Sequence, residues 1–345
     1  MSWGVMEIFR ANRIGPRGRA DAKRAPRSWP LAAAAWLVVL GASVALPFAA
    51  SAQFAFLDPP RGQLERTHEI DVHVDGEFGA DIDRGTSFNR LNTGVRYTTD
   101  GALNRNFGLG LHIAYMFDGY NFDDYANPTC APDAPCFEVA PWQNVHTTDI
   151  APSVGIIFTP GFQLLAWVPM RFSHESGRSE SPFTGGIVGA ARIVFDQGRI
   201  ATTLGVGYMS ELEASGRVFP VIGVDWQVGE RWRFLTEGGP YEGGLGTVVF
   251  GPASDIKLRV SAGWERKRFR LSDSGDRSPN GLGQHVNAPI LAGLDIRLSD
   301  AFHLEFHGGL SVAGHVTILD SDGNTLLESD YDVAGRFGGS LQIVF

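Results

Sequence analysis

The chain has 345 residues and a formal net charge of −9, with 43 Gly, 23 Phe and 8 Trp against only 2 Cys. An acidic chain without a basic, aromatic-lined groove is a poor nucleic-acid binder, so no nucleic-acid partner is expected. After the amino-terminal segment no run of 18 apolar residues occurs, and no internal membrane helix is expected.

The first 52 residues read as an export signal. Arg10, Arg13, Arg17, Arg19, Lys23, Arg24 and Arg27 form a basic region, residues 31–50 are apolar, and Ala50-Ser51-Ala52 supplies a small-x-small cleavage site. Cleavage there starts the mature chain at Gln53. A retained membrane helix is the competing reading, since about 20 apolar residues span a bilayer. No twin-Arg pair precedes the apolar stretch, which favours the general secretory route. Removing this segment takes away 7 of the 29 Lys and Arg and 2 of the 38 Asp and Glu, leaving 22 against 36, or −14.

A short tail, 53–66, leads into a region, 67–345, where apolar and polar residues alternate with strand period. Phe107, Leu109, Leu111, Ile113, Tyr115 and Phe117 share one face, opposite Gly108, Gly110, His112, Ala114 and Asp118. The pattern returns from Ile200 to Tyr208, from Val286 to Leu298 and from Phe302 to Ile318, where His315 and Thr317 fall on the polar side. Such runs exceed the roughly 5–6 residues of soluble strands and match the 9–11 or more that cross a bilayer at a tilt. Turns are expected at Thr99-Asp100-Gly101, Pro160-Gly161, Asp196-Gln197-Gly198, Gly229-Glu230, residues 251–254 and Ser299-Asp300. Longer connections alternate with them at 121–144, 173–181, 272–285 and 319–332. Short turns on one rim and longer loops on the other give an all-β fold, a transmembrane up-and-down antiparallel β-barrel of about 14 strands. The count falls to 12 if residues 231–237 and 245–250 do not span. Pro152, Pro169, Pro220 and Pro289 mark local bends or bulges.

The last strand, 334–345, alternates to its final residue, with Phe337, Leu341, Ile343 and Phe345 on one face and Arg336, Ser340 and Gln342 on the other. It resembles the carboxy-terminal signature of Gram-negative outer-membrane β-barrels, a terminal Phe preceded by apolar residues at every second position. That resemblance implies an outer-membrane location and Phe345 as the signal read by the barrel-assembly machinery, with delivery by periplasmic chaperones. Aromatic residues beside the short turns (Phe107, Phe158, Phe162, Phe195, Trp226, Trp232, Phe302) and toward the opposite ends (Tyr115, Phe117, Tyr208, Trp264) fit two interfacial girdles.

The opposite parity describes the interior. Glu69, Asp71, Asp75 and Glu77 line the first strand, and candidate lumen charges recur at Asp149, Arg171, Arg192, Asp225, Arg259, Asp295, Arg297, Glu305 and Arg336. Two readings follow: a pore or channel for small polar solutes, sorted by a charge ladder, or a closed structural or surface barrel whose acids and bases neutralise one another. A membrane-embedded hydrolase is third, but no G-x-S-x-G motif, paired carboxylates or phosphate-cradling loop stands in a convincing context, and no catalytic residue or cofactor is assigned. His303, Glu305 and His307 share a wall, yet regular alternation separates them by about 7 Å per step, too far for one metal ion. Cys130 and Cys136 lie in the longest loop and, in an oxidising compartment, read as a disulfide. Arg266, Lys267, Arg268 and Arg270 cluster at an outer strand end, where lipopolysaccharide phosphates are one expected contact and plain solvation the other. Residues 320–324 read as a hairpin turn, not a calcium loop.

Overall fold

The structure is a computed structural model that describes residues 67–82, 86–123, 140–177, 182–212, 214–239, 243–252, 254–273 and 280–345. The segments expected to be an export signal and a tail, and both cysteines, lie outside these residues. Sixteen strand segments follow in order: β1 (Thr67–Ile82), β2 (Thr86–Ala102), β3 (Phe107–Asp123), β4 (Asn144–Thr159), β5 (Phe162–Trp167), β6 (Met170–Glu175), β7 (Phe183–Phe195) and β8 (Ile200–Glu211). Then come β9 (Ala214–Val228), β10 (Trp232–Gly239), β11 (Gly243–Phe250), β12 (Ile256–Arg270), β13 (Leu282–Arg297), β14 (Phe302–Leu319), β15 (Thr325–Tyr331) and β16 (Ala334–Val344).

Two staves of the wall are each broken in two. β5 and β6 both lie between β4 and β7, parted at Val168-Pro169, because proline cannot donate to the ladder. β15 and β16 both lie between β14 and β1. The segments therefore make a closed, antiparallel, 14-stranded barrel, sealed where Glu69 to Phe78 pair with Val344 to Gly335. The terminal Phe345 extends this seam through its own backbone, exchanging N–H···O bonds of 2.9 and 3.0 Å with His68, while its ring stacks on the imidazole.

The outward face is apolar. Val74, Leu91, Val95, Leu109, Ile113, Val206, Val260, Ile290 and Leu310 are all exposed, as lipid-facing residues must be in a barrel without a soluble core on that side. Phe107, Phe158, Phe195, Trp232, Phe250 and Phe302 are exposed beside the short turns. The first short turn lies at residues 103–106, past Thr99-Asp100-Gly101, because the Asn104 carboxamide accepts the N–H groups of Asn106 and Phe107 and sets the bend there. The doubtful segments are true strands: β10 pairs with β11 along its full length, and β11 likewise with β12. Residues 325–331, expected in a loop, instead form β15 and lengthen a hairpin turned by Asp320. The Asp320 carboxylate accepts N–H bonds from Asp322 and Asn324, and the Asn324 side chain, donating to it, holds its pKa below the usual range.

Two bulges reverse the alternation near the long-loop rim. On β1 the register slips between Glu77 and Ala80, with Gly79 at φ +68°, a conformation that glycine adopts without cost. On β14 the slip lies opposite Val286 and Ala288, with Ala313 at φ +51°. Beyond them Ala80, Ile82, Val316 and Ile318 point inward and are buried, whereas His315 points out to Glu328 and Asp330. The inward expectation for His315 is corrected by this bulge.

The upper end of β12 stays paired with β13 but runs past β11. β11 stops pairing with it at Glu265, and Arg270 then bridges in parallel to His174 of β6, nearly opposite in the ring. Ser272 and Asp273 continue the contact, donating to the Glu175 carboxylate (3.1 Å) and the Gly177 carbonyl (3.3 Å). Above mid-height the ring therefore closes early, as β1–β2–β3–β4–β6–β12–β13–β14–β15, leaving β7 to β11 outside it.

Candidate functional site

The interior has three zones. The first fills the small upper ring. Phe88, Tyr120, Phe122, Trp142, Phe269, Ile318 and Tyr331 form a dry core with no member from β7 to β11 among the described residues. Phe88 is fully buried, with ring centroids of Phe122 and Tyr331 at 5.3 and 5.1 Å. These aromatics were missed in the sequence, although Phe88, Tyr120 and Phe122 stand on the same parity as Arg90, Asn92 and Asp118. Rings on a polar face near the strand ends were the available signal.

Directly below lies a buried polar layer centred on Arg90, whose guanidinium is 3.2 Å from Glu77, 3.3 Å from Asp75 and 3.5 Å from Asp118. Tyr331 donates to Glu77 at 2.7 Å, Asn287 donates to it at 3.2 Å, and His285 is hydrogen-bonded to the hydroxyls of Tyr331 and Tyr120. Lys267 and Asn92 donate to Asp118 at 2.6 and 2.9 Å. Arg336 bridges Asp75 (3.0 Å) and Glu265 (2.8 Å). Every acid in this layer has a cationic or hydroxyl partner, as burial in low dielectric demands.

Beneath it opens a cavity of about 420 Å³ that reaches down to Glu69, His303 and Gln342, near the strand ends on the short-turn rim. Its walls carry charge of both signs. Arg259 donates to Glu305 at 2.7 Å and approaches Asp295 at 3.6 Å, and His307 meets Asp75 at 2.9 Å. Among the described residues no cluster of three His, Cys, Asp or Glu side chains is placed to hold a metal ion.

The other candidate lumen charges lie elsewhere. Arg171 and Asp149 form a bidentate, largely buried pair with both bonds at 2.6 Å. Arg192 is half-buried on β7. Asp225 pairs with Arg233 at 2.7 Å and Arg297 with Asp255 at 2.7 Å, both on the short-turn rim and well exposed. Arg297 is therefore a rim group, not a deep lumen charge.

The third zone lies beside the small ring, between the outward face of upper β12 and the inward face of β7 to β9. Below it the inner wall is apolar, built from Leu165, Trp167, Val188, Met209, Phe219 and Val221. Here the basic cluster is found. Arg266 and Arg268, on the same parity as lipid-facing Val260 and Trp264, reach Glu211 of β8 at 3.3 and 3.1 Å. Arg217 meets the same carboxylate at 2.9 Å. Lys267 points the opposite way to Asp118, and Arg270 is buried and donates to the Asn280 carbonyl. β12 stays paired with β13 here while β11 ends beside it, and the cluster, expected to meet lipopolysaccharide phosphates or solvent, bonds to protein groups.

No family model and no curated protein matches the chain. Solved structures of similar shape are outer-membrane barrels. An outer membrane channel from Pseudomonas putida F1 matches at 10% identity, covering 84% of this chain and 100% of its own, with a TM-score of 0.43. A Pseudomonas aeruginosa FadL homologue matches at 11%, covering 84% and 91%, with a TM-score of 0.45. The KdgM porin matches at 10%, covering 80% and 99%, with a TM-score of 0.31. The chain's own strand pairing makes it a closed antiparallel β-barrel with an apolar outward face. Identities this low and TM-scores below one half assign it no solute.

Proposed function

We propose that the protein is an outer-membrane channel for small polar solutes, held in a narrow state by its own outer half. The observation that carries this reading is the 420 Å³ cavity with charged walls, which reaches the short-turn rim. Short turns face the periplasm in barrels of this class, so the cavity is a periplasmic vestibule and the aromatic core faces outward. In it Arg259, Asp295, Glu305 and Arg336 are the groups a permeating solute meets, while Asp149 with Arg171, Arg192, Asp225 and Arg297 tune the field around it. The same reading takes residues 1–52 as a cleaved signal, 53–66 as a periplasmic tail, Cys130–Cys136 as a loop disulfide and Phe345 as the assembly signal.

The aromatic core and the Arg90 layer support a second reading, a closed structural barrel. Swelling of proteoliposomes in small sugars and amino acids separates the two. A channel admits the smallest solutes fastest and excludes oligosaccharides. Vesicles holding folded barrel that swell no faster than empty ones reject the channel.

A further inference from the structure

A serine and a histidine meet on the outward face of the wall, at its long-loop end. His146 of β4 has two direct cross-strand neighbours, Phe117 of β3 and His174 of β6. All three stand on the outward parity, opposite the inward, buried Val145, Thr147 and Ser173. Ser176 lies just past β6 on the same face as His174. Its N–H donates to the Asn144 carbonyl at 3.0 Å, and its hydroxyl is 3.0 Å from His146 Nε2. The other ring nitrogen of His146, Nδ1, is 2.8 Å from the Tyr115 hydroxyl. No local motif marks the pair, because the β4–β6 ladder joins residues 30 apart in the chain.

Nucleophile, base and orienting group thus stand in series, each within hydrogen-bond reach of the next. With Nδ1–H donated to the Tyr115 oxygen, Nε2 keeps the lone pair that faces Ser176. The third member is a neutral phenol, so it fixes the tautomer and the ring without adding charge. The turn that carries the serine is anchored: Gly177 sits at φ +84°, and its carbonyl accepts the Ser272 hydroxyl at 3.2 Å and the Asp273 N–H at 3.3 Å. Tyr115, Phe172 and Phe183 are exposed around the pair, the last two with ring centroids 5.2 Å apart, and Ile113 and Ile187 are exposed on the same face. Aromatic rings gather at headgroup level with aliphatic residues toward the hydrocarbon, which puts Ser176 where the ester groups of a membrane lipid lie.

We propose that Ser176 and His146 form a dyad that hydrolyses the acyl ester of a membrane lipid, with Tyr115 as its positioning residue. The Ser176 oxygen bonds to the acyl carbon while its proton passes to His146 Nε2. The carbonyl electron pair moves onto oxygen, where the N–H of Gly177, the residue after the nucleophile, is the assigned donor. The carbonyl then re-forms, the bond to the alcohol oxygen breaks, and that oxygen leaves with the proton from His146. Water repeats the sequence on the acyl-serine, its proton going to His146 and then to Ser176, and a fatty acid is released. Glycerophospholipids and lipopolysaccharide both carry such esters. The site shares no residue with the vestibule, so it stands or falls apart from the channel reading.

The full chain, checked as folded by heat-modifiable gel mobility, is mixed in detergent micelles with either dioleoylphosphatidylethanolamine or lipopolysaccharide, and released fatty acid is measured. Wild type is expected to release it from at least one of them, and the one cleaved names the lipid. Ser176→Ala and His146→Gln, each checked as folded, should lose at least about a hundredfold in rate, since nucleophile and base act as a unit. Ser299→Ala, a turn variant on the opposite rim, should keep the wild-type rate. Tyr115→Phe should lower kcat and leave KM unchanged, because the hydroxyl orients the imidazole and does not hold the lipid. An unchanged kcat in that variant overturns the positioning role. Folded wild type that frees no fatty acid from either lipid overturns the dyad, and so does a rate that survives Ser176→Ala.

Discussion

Arg90 is the test of whether the outer half of the barrel is dry. Its side chain is 2% exposed and its neighbour Glu77 is fully buried. In Arg90→Met, Asp75 keeps Arg336 and Asp118 keeps Lys267, but Glu77 is left with the neutral donors Tyr331 and Asn287. Stranding one buried carboxylate costs about 3–5 kcal/mol. Taking about 4 kcal/mol and a factor of ten per 1.4 kcal/mol, the ratio of folded to unfolded barrel falls by roughly a thousandfold. Urea unfolding in phospholipid vesicles, followed by tryptophan fluorescence and gel mobility, reads this as a large drop in midpoint. Arg297→Ala, at the watery rim, should leave the midpoint unchanged. The double variant Arg90→Met/Glu77→Gln should recover most of the loss, because it removes both the cation and the orphaned charge. If Arg90→Met unfolds at the wild-type midpoint, water reaches that layer and the dry outer half does not exist.

Three further outcomes follow from the same geometry. Val206→Arg places a charge on the lipid face, where Val206 is 56% exposed, and should cost about 2–4 kcal/mol near the bilayer midplane in the same urea assay. Cysteines at Gln197 and Asp300 should react with an impermeant thiol reagent only from the periplasmic side, and one at Asn324 only from outside; reaction of all three from one side defeats the up-and-down topology. If Cys130 and Cys136 are joined as proposed, reduction should reveal two thiols, and Cys130→Ser should insert almost normally, since a bridge at this spacing closes only a short stretch of chain; failure to insert would mean that this stretch supports the barrel.

The wall was legible in the sequence because lipid enforces it. Most outward residues from Val72 to Phe337 are apolar, so strand and parity can be read from the alternation, while the short β10 and β11 left the count open between 12 and 14 until their ladders were seen. The interior obeys no such rule. Gly79 and Ala313 reverse the parity of β1 and β14, and nothing in the local alternation says that Ile82, Val316 and Ile318 face inward, since an inward and an outward isoleucine look alike. The position of Arg266 and Arg268 was harder still. Their parity is lipid-facing, and only the bridge from Arg270 to His174, 96 residues away along the chain, turns that face toward the inner wall of β8. Arg297 showed the opposite limit: its parity was read correctly, but parity does not tell depth, and the ladder puts it at the rim opposite His303.

Single-channel recording of the purified full-length protein in planar bilayers tests the central claim most directly. A charged vestibule that reaches the short-turn rim beneath a filled upper ring predicts discrete current steps, small for a barrel of 14 strands. Bilayers that stay silent, while the gel shows the protein fully folded, contradict the channel and leave a closed structural barrel.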